Sequence, residues 1–240
     1  MRPTVAVGIV STVVATCVCA GPATEPATAP ADAALWARLA EIDARAGGIQ
    51  HLTATFLQDK FTALMKRPIR STGSVRINGA VMRWDTRQPQ ESVLLIDQRE
   101  AKVYYPAQKT LEIYRLDKRL SELAASPLPR LDVLRSRFSF RQISAGQLDR
   151  GADETRFLAL QLDPVDPSLA QHVSQVRVLL DVRAGYIVTA EVTDRDGDRT
   201  VLRFSDVKLN GDVGDLGLTV PPGTAISHPL EGLDAQPPQS

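Results

Sequence analysis

The residues that could do polar chemistry are few. The three histidines, His51, His172 and His228, lie far apart in the chain, and none sits in a recognisable catalytic motif. There is no G-x-S-x-G, no H-E-x-x-H, no phosphate-binding loop and no dinucleotide fingerprint. Asp194-Arg195-Asp196-Gly197-Asp198 gathers carboxylates but lacks the helices and distal Glu of a calcium loop, so it reads as a hairpin turn. Metal-ligand spacing is absent, and the reading calls for no cofactor and no enzymatic activity. What remains is apolar chemistry. Phe56, Met82 and Trp84 stand at alternating positions of short β-patterned runs, and alternation places such residues together on one face.

The elements that must position them are strands. Between Leu52 and Pro106 the chain reads HLTATFLQDKF, RSTGSVRIN, AVMRWDTRQP, ESVLLIDQ and AKVYYP, each bounded by Gly, Pro, Asn or Asp. Leu52, Ala54 and Phe56 alternate with Thr53 and Thr55. Val75 and Ile77 follow Gly73, Asn78-Gly79 makes a hairpin turn, and Met82 and Trp84 alternate with Arg83 and Asp85. Val93 to Ile96 is continuously apolar, which leaves open which of its faces is inward. Leu111 to Tyr114 completes a further hairpin. Strands resume at Phe138–Ile143, Thr155–Leu162, Val176–Val182, Tyr186–Val192 and Val201–Ser205, and Leu216–Val220 reads as the last.

Helical periodicity occurs in two places. Leu35, Leu39 and Ile42 fall on one face of a helix over Ala33–Ala46, stopped by Gly47-Gly48. Leu120 and Leu123, then Leu131 and Leu134 after a Pro break, form a second helical insert. The expected fold is α+β: an unclosed, strongly curved antiparallel sheet of about ten or eleven strands, a half-barrel, with an α-helical lid over its concave apolar face. One domain is expected over residues 33–227, followed by a flexible tail over 228–240.

Met1 to Ala20 has the pattern of a secretory signal peptide, with Arg2 before an apolar run, and Gly21 to Asp32 that of a disordered linker. Val14-Ala15-Thr16-Cys17 approximates a lipidation motif, with Thr16 a poor fit, so removal of the whole peptide is the preferred reading. Lys plus Arg and Asp plus Glu each total 28, which gives nucleic-acid binding no electrostatic support. An apolar concavity can take up acyl chains, since each methylene withdrawn from water is worth roughly 0.8 kcal/mol. The basic residues Arg130 and Arg135 of the insert offer the other reading, a regulatory domain that binds a partner protein.

The order of motifs resembles a known family. Phe56 and Gln58, Gly73, Met82-Arg83-Trp84 before Pro89, and Tyr105-Pro106 are similar to the periplasmic lipoprotein carrier family LolA. So are Leu162-Asp163-Pro164, Gly197 with Thr200, Phe204 and Thr219-Val220-Pro221-Pro222-Gly223. The resemblance implies an unclosed β-barrel with a helical lid. It implies a periplasmic, monomeric carrier that accepts lipoproteins from an inner-membrane transporter and delivers them to an outer-membrane acceptor. By matched position Phe56, Met82, Trp84 and Leu94 would face the acyl-chain cavity. Leu52, Val75, Ile77 and Ile96 join them as apolar positions of the same strands, with Leu35, Leu39, Ile42, Leu120, Leu123, Leu131 and Leu134 as lid. The chain departs from the family at one place: Asn78-Gly79-Ala80 stands where a Lys-Arg-Pro is expected, so the Arg that helps hold the lid is absent. A carrier of another lipid or glycolipid on the same scaffold therefore stays open.

Overall fold

A computed structural model describes residues 30–116 and 134–229. The expected signal peptide, Cys17, and the insert residues Leu120, Leu123, Arg130 and Leu131 lie outside the described residues.

Helix α1 (Pro30–Gly47) starts slightly earlier than expected and ends at the glycine pair. Leu35, Leu39, Ile42 and Ala46 are buried, the stripe that a helix packed on one side requires. Twelve strands follow. They are β1 (His51–Phe61), β2 (Ile69–Asn78), β3 (Val81–Gln88), β4 (Ser92–Ile96), β5 (Glu100–Tyr105) and β6 (Thr110–Arg115). After the insert come β7 (Phe138–Ile143), β8 (Phe157–Pro164), β9 (Val173–Asp181), β10 (Tyr186–Asp194), β11 (Arg199–Leu209) and β12 (Ala225–Ser227). A one-turn helix α2 (Pro167–Ala170) precedes β9, capped by the Asp166 carboxylate, which accepts from the amides of Ser168 and Leu169.

The strands form one unclosed sheet in the order β12-β6-β5-β4-β3-β2-β1-β11-β10-β9-β8-β7. Two meanders, β1 to β6 and β7 to β11, are joined by pairing of β1 with β11. Neighbours from β2 to β6 and from β7 to β11 pair antiparallel. The edge strand β12 runs parallel to β6.

Among the described residues the chain divides into two compact units. One contains residues 30–48, 58–70 and 134–203. Its β8 buries Leu158, Leu160 and Leu162 on one face and Ala159 on the other. Ala159 packs with Ala145 and Leu179 beneath the 145–152 connection, while Trp36 of α1 meets Phe140, the cross-strand partner of Leu162, at 4.8 Å between ring centroids. The other unit contains residues 49–57, 71–116 and 204–229 and buries Phe56, Val75, Ile77, Leu94, Ala101 and Val103.

Two sequence expectations are corrected. Asn78 pairs with Val81, so the central residues of that hairpin are Gly79 and Ala80, and Gly79 takes the positive φ of 53°. Residues 216–220 are not a strand. Arg76 donates to the carbonyls of Val213 and Asp215 at 3.2 and 3.0 Å, and Arg83 donates to that of Gly217. These guanidinium groups take acceptors that a ladder would have used, and Pro221-Pro222 supplies no amide donors. The last strand comes after the prolines instead, with Ile226 beside Leu111.

Candidate functional site

Register builds the site. In antiparallel pairs, directly opposed residues share a face. Val75 opposes Trp84, Trp84 opposes Leu94, and Leu94 opposes Val103, which makes one row across β2 to β5. Ile77, Met82, Ile96 and Ala101 make the next row on the same face. Val75, Ile77, Leu94, Ala101 and Val103 are buried, while Met82, Trp84 and Ile96 are half-buried. The open question about β4 is thereby answered: Leu94 and Ile96 share the Trp84 face, and Val93 and Leu95 oppose Asp85 and Arg83 on the other.

From β1, buried Leu52, Ala54 and Phe56 alternate as expected. The Phe56 ring reaches Trp84 edge-on at 5.0 Å, and Trp84 meets Phe204 of β11 at 5.8 Å. The face opposite mixes ion pairs with apolar residues, among them Val93, Leu95 and the buried Tyr104 and Leu111. Asp85 is held by Arg83 at 2.8 Å and by Arg76 at 3.2 Å, and Lys102 pairs with Glu100 at 3.0 Å. The charged side chains of β3 and β5 are thus gathered on the face away from Trp84.

The apolar rows end in a polar group on β6. Glu112 opposes Val103 and Tyr114 opposes Ala101. The Tyr114 hydroxyl donates to Glu112 Oε2 at 2.8 Å. Burial first, then the Glu112 charge and hydrogen bond, push the Tyr105 phenol up to about 12. The same causes, burial again foremost, raise Tyr114 well above the usual phenol range.

Of the expected lid residues, Leu35, Leu39 and Ile42 are buried along α1. Arg135 stacks over Trp36 at 4.9 Å, and Arg45 Nη1 donates to the Val182 carbonyl at 2.5 Å. Leu134 is half-buried in a short helical turn. His51 begins β1, its amide bonded to the Asn210 side chain, while His172 precedes β9 and His228 follows β12. Among the described residues no group of three or more His, Cys, Asp or Glu could hold a metal ion. The 194–198 turn joins β10 to β11, and Asp194 Oδ1 accepts from the amides of Asp196 and Asp198.

Sequence reasoning does not single out Ala101, Val103, Tyr105, Glu112 or Tyr114 as part of this face. Their alternation is visible, but their side of the sheet depends on the register of β4, whose run is apolar at every inner position. Phe204 stands out in the sequence only as part of a motif.

The site is thus an apolar face across β2 to β5 of an unclosed, mainly antiparallel sheet. The sequence profile described as "Outer membrane lipoprotein carrier protein LolA" matches residues 47–216, and the chain belongs to that family. No curated protein matches the chain. Among solved structures, an uncharacterized conserved protein from Thermus thermophilus superposes with a TM-score of 0.52 at 10% identity, covering 81% of this chain and 99% of that one. This likeness extends the shared fold over most of the chain. A LolA superfamily protein from Nitrosomonas europaea is similar at a TM-score of 0.38 and 14% identity, covering 74% of this chain and 94% of its own. The Mycobacterium tuberculosis lipoprotein LppX gives 0.46 and 11%, covering 76% and 99%. Among the described residues no helix is long and apolar enough to cross a membrane.

Proposed function

We propose that this protein is a periplasmic carrier that binds the acyl chains of lipoproteins on the Trp84 face and moves them from the inner to the outer membrane. The observation that carries the reading is the pair of apolar rows through Trp84 and Met82, on the face away from the Arg83–Asp85 ion pair. Family membership supports this cargo class. Phe56, Leu52, Val75, Ile77, Met82, Trp84, Leu94 and Ile96 would line the acyl site. Leu35, Leu39, Ile42 and Leu134, with Leu120, Leu123 and Leu131, would close over it. Signal-peptide removal after Ala20 would deliver the protein to the periplasm, where an inner-membrane transporter loads it and an outer-membrane acceptor unloads it.

A carrier must release what it binds, so closing of an empty site should compete with cargo. In this chain the position of the expected family Arg is the tight β2–β3 turn, where the Gly79 amide donates to the Gln50 carbonyl at 2.8 Å. Control of closing would therefore rest on other residues.

The test is photo-crosslinking in cells from position 82, with Met82 replaced by a photoreactive amino acid and the captured species read by mass spectrometry. Acylated lipoproteins are expected. Capture of free lipid alone would move the cargo to another amphiphile. A folded protein that captures nothing would overturn the reading.

A further inference from the structure

Among the described residues of β2 to β6, the apolar face carries one charge. Over β2 to β6, alternation and register assign to this face Gly73, Thr86, Ser92, Tyr105 and Thr110 besides the apolar rows, and all are uncharged. The exception is Glu112. At the sheet edge β12 adds Ala225 and Ser227 beside Thr110 and Glu112, again without charge. Every other ionised side chain of these strands lies on the opposite face or at a strand end. Glu112 is half-buried, and isolating a carboxylate on an apolar face is costly unless something compensates it. Tyr114 supplies one donor to Oε2, and Tyr105 stands on the same face opposite Thr110. The Tyr114 phenol is neutral at physiological pH, so it positions the carboxylate without supplying a counter-charge. Glu112 stands three strand spacings from Trp84, about 14 Å at roughly 4.8 Å each.

We infer that Glu112, held by Tyr114, is a headgroup site for a primary ammonium, namely the free amino terminus of an acylated protein whose chains lie along the Trp84 rows. The inference rests on the carrier reading and sharpens its cargo. The physical basis is charge complementarity. A carboxylate with one neutral donor already placed keeps acceptor capacity for a cationic N–H, and a charge-assisted hydrogen bond in such surroundings outweighs a neutral one. The same site would reject a carboxylate or phosphate placed there.

The test is calorimetric titration of the whole mature protein with a diacylglyceryl-cysteine peptide, prepared with a free amino terminus and in N-acetylated form. The free amine is expected to bind about tenfold more tightly, and Glu112→Gln to bring the two within about twofold while N-acetylated binding stays unchanged. Glu112→Asp, which keeps the charge, should retain part of the preference, and circular dichroism checks that each variant folds. Equal wild-type affinity for the two peptides overturns the inference and leaves the carrier reading standing. Binding of neither peptide to folded protein overturns both. Lysophosphatidylethanolamine, a primary ammonium on a phospholipid, should bind more weakly than the free-amine peptide; the reverse order overturns the assignment to a protein amino terminus.

Discussion

Phe56 on β1 and Trp84 on β3 meet edge to face, ring centroids 5.0 Å apart, although β2 runs between their strands. The contact is possible because β2 presents Gly73 there. A Cβ on Gly73 would lie 2.7 Å from Phe56 Cε1 and 2.1 Å from the Asp85 carbonyl oxygen. The Phe56 ring occupies the space of the absent side chain and reaches across to Trp84. One missing methyl group thus joins the apolar surface of β1 to that of β3.

Gly73→Ala is therefore expected to destabilise the protein by roughly 1–3 kcal/mol, because a strand backbone and an aromatic ring must both yield. The lower midpoint should appear in urea unfolding with an unchanged slope. A variant as stable as the parent would show that the strands shift freely at this point.

Trp84 is half-buried, so truncation removes less than a fully buried indole would. Trp84→Ala should cost about 2 kcal/mol and weaken acyl binding at least tenfold. Trp84→Phe should keep most of both, since an aromatic edge toward Phe56 and Phe204 is retained. Parallel urea melts and lipopeptide titrations separate the two effects.

Along α1, Leu39 is 1% exposed, while Glu41 is exposed and pairs with Arg45 only at 3.8 Å. Leu39→Ala is expected to cost roughly 2–5 kcal/mol and Glu41→Ala less than about 0.5 kcal/mol. Thermal melts of the two variants decide whether α1 is anchored by its stripe or by its surface charge.

Asp59 is almost wholly buried. Its carboxylate receives Arg70 at 2.8 and 3.1 Å and Arg203 at 3.3 Å. The Arg70 hydrogen bond, opposed by burial and aided by both charges, holds it below the ordinary Asp value of 3.8. Because the folded value is the lower one, its stabilisation is present above about pH 4 and is lost as pH falls further. Asp166 shifts the same way, chiefly through the Ser168 hydroxyl. Asp59→Asn should be less stable at neutral pH and lose less stability on acidification below about pH 4, measured by urea midpoints across that range.

The alkaline side has the opposite sign. Tyr105 is raised to about 12, so ionisation of the unfolded chain near pH 10 should progressively favour unfolding between those values. Glu112→Gln should lower the Tyr105 value, though not to its ordinary one, because burial is the larger cause. Ultraviolet titration of the phenols in the two proteins measures the difference.

Much of this molecule is legible from local pattern. Alternation of Leu52, Ala54 and Phe56 against threonines marks both β1 and its buried face. The Leu35, Leu39, Ile42 spacing marks α1, and the carboxylate turn at 194–198 marks the β10–β11 hairpin. These features are local: a period of two or of 3.6 residues, or one turn, is complete within a few positions. Other features are not. The run Val93 to Ile96 has no polar alternation, so its inward face follows only from pairing with Trp84 and Arg83. Residues 216–220 alternate like a strand, yet Arg76 and Arg83, more than a hundred positions earlier, donate to carbonyls just before and within this segment. Glu112 looks in sequence like any charge on a hairpin. Its place as the one charge that β2 to β6 put on the Trp84 face arises from the register of five strands, which no short stretch of chain contains.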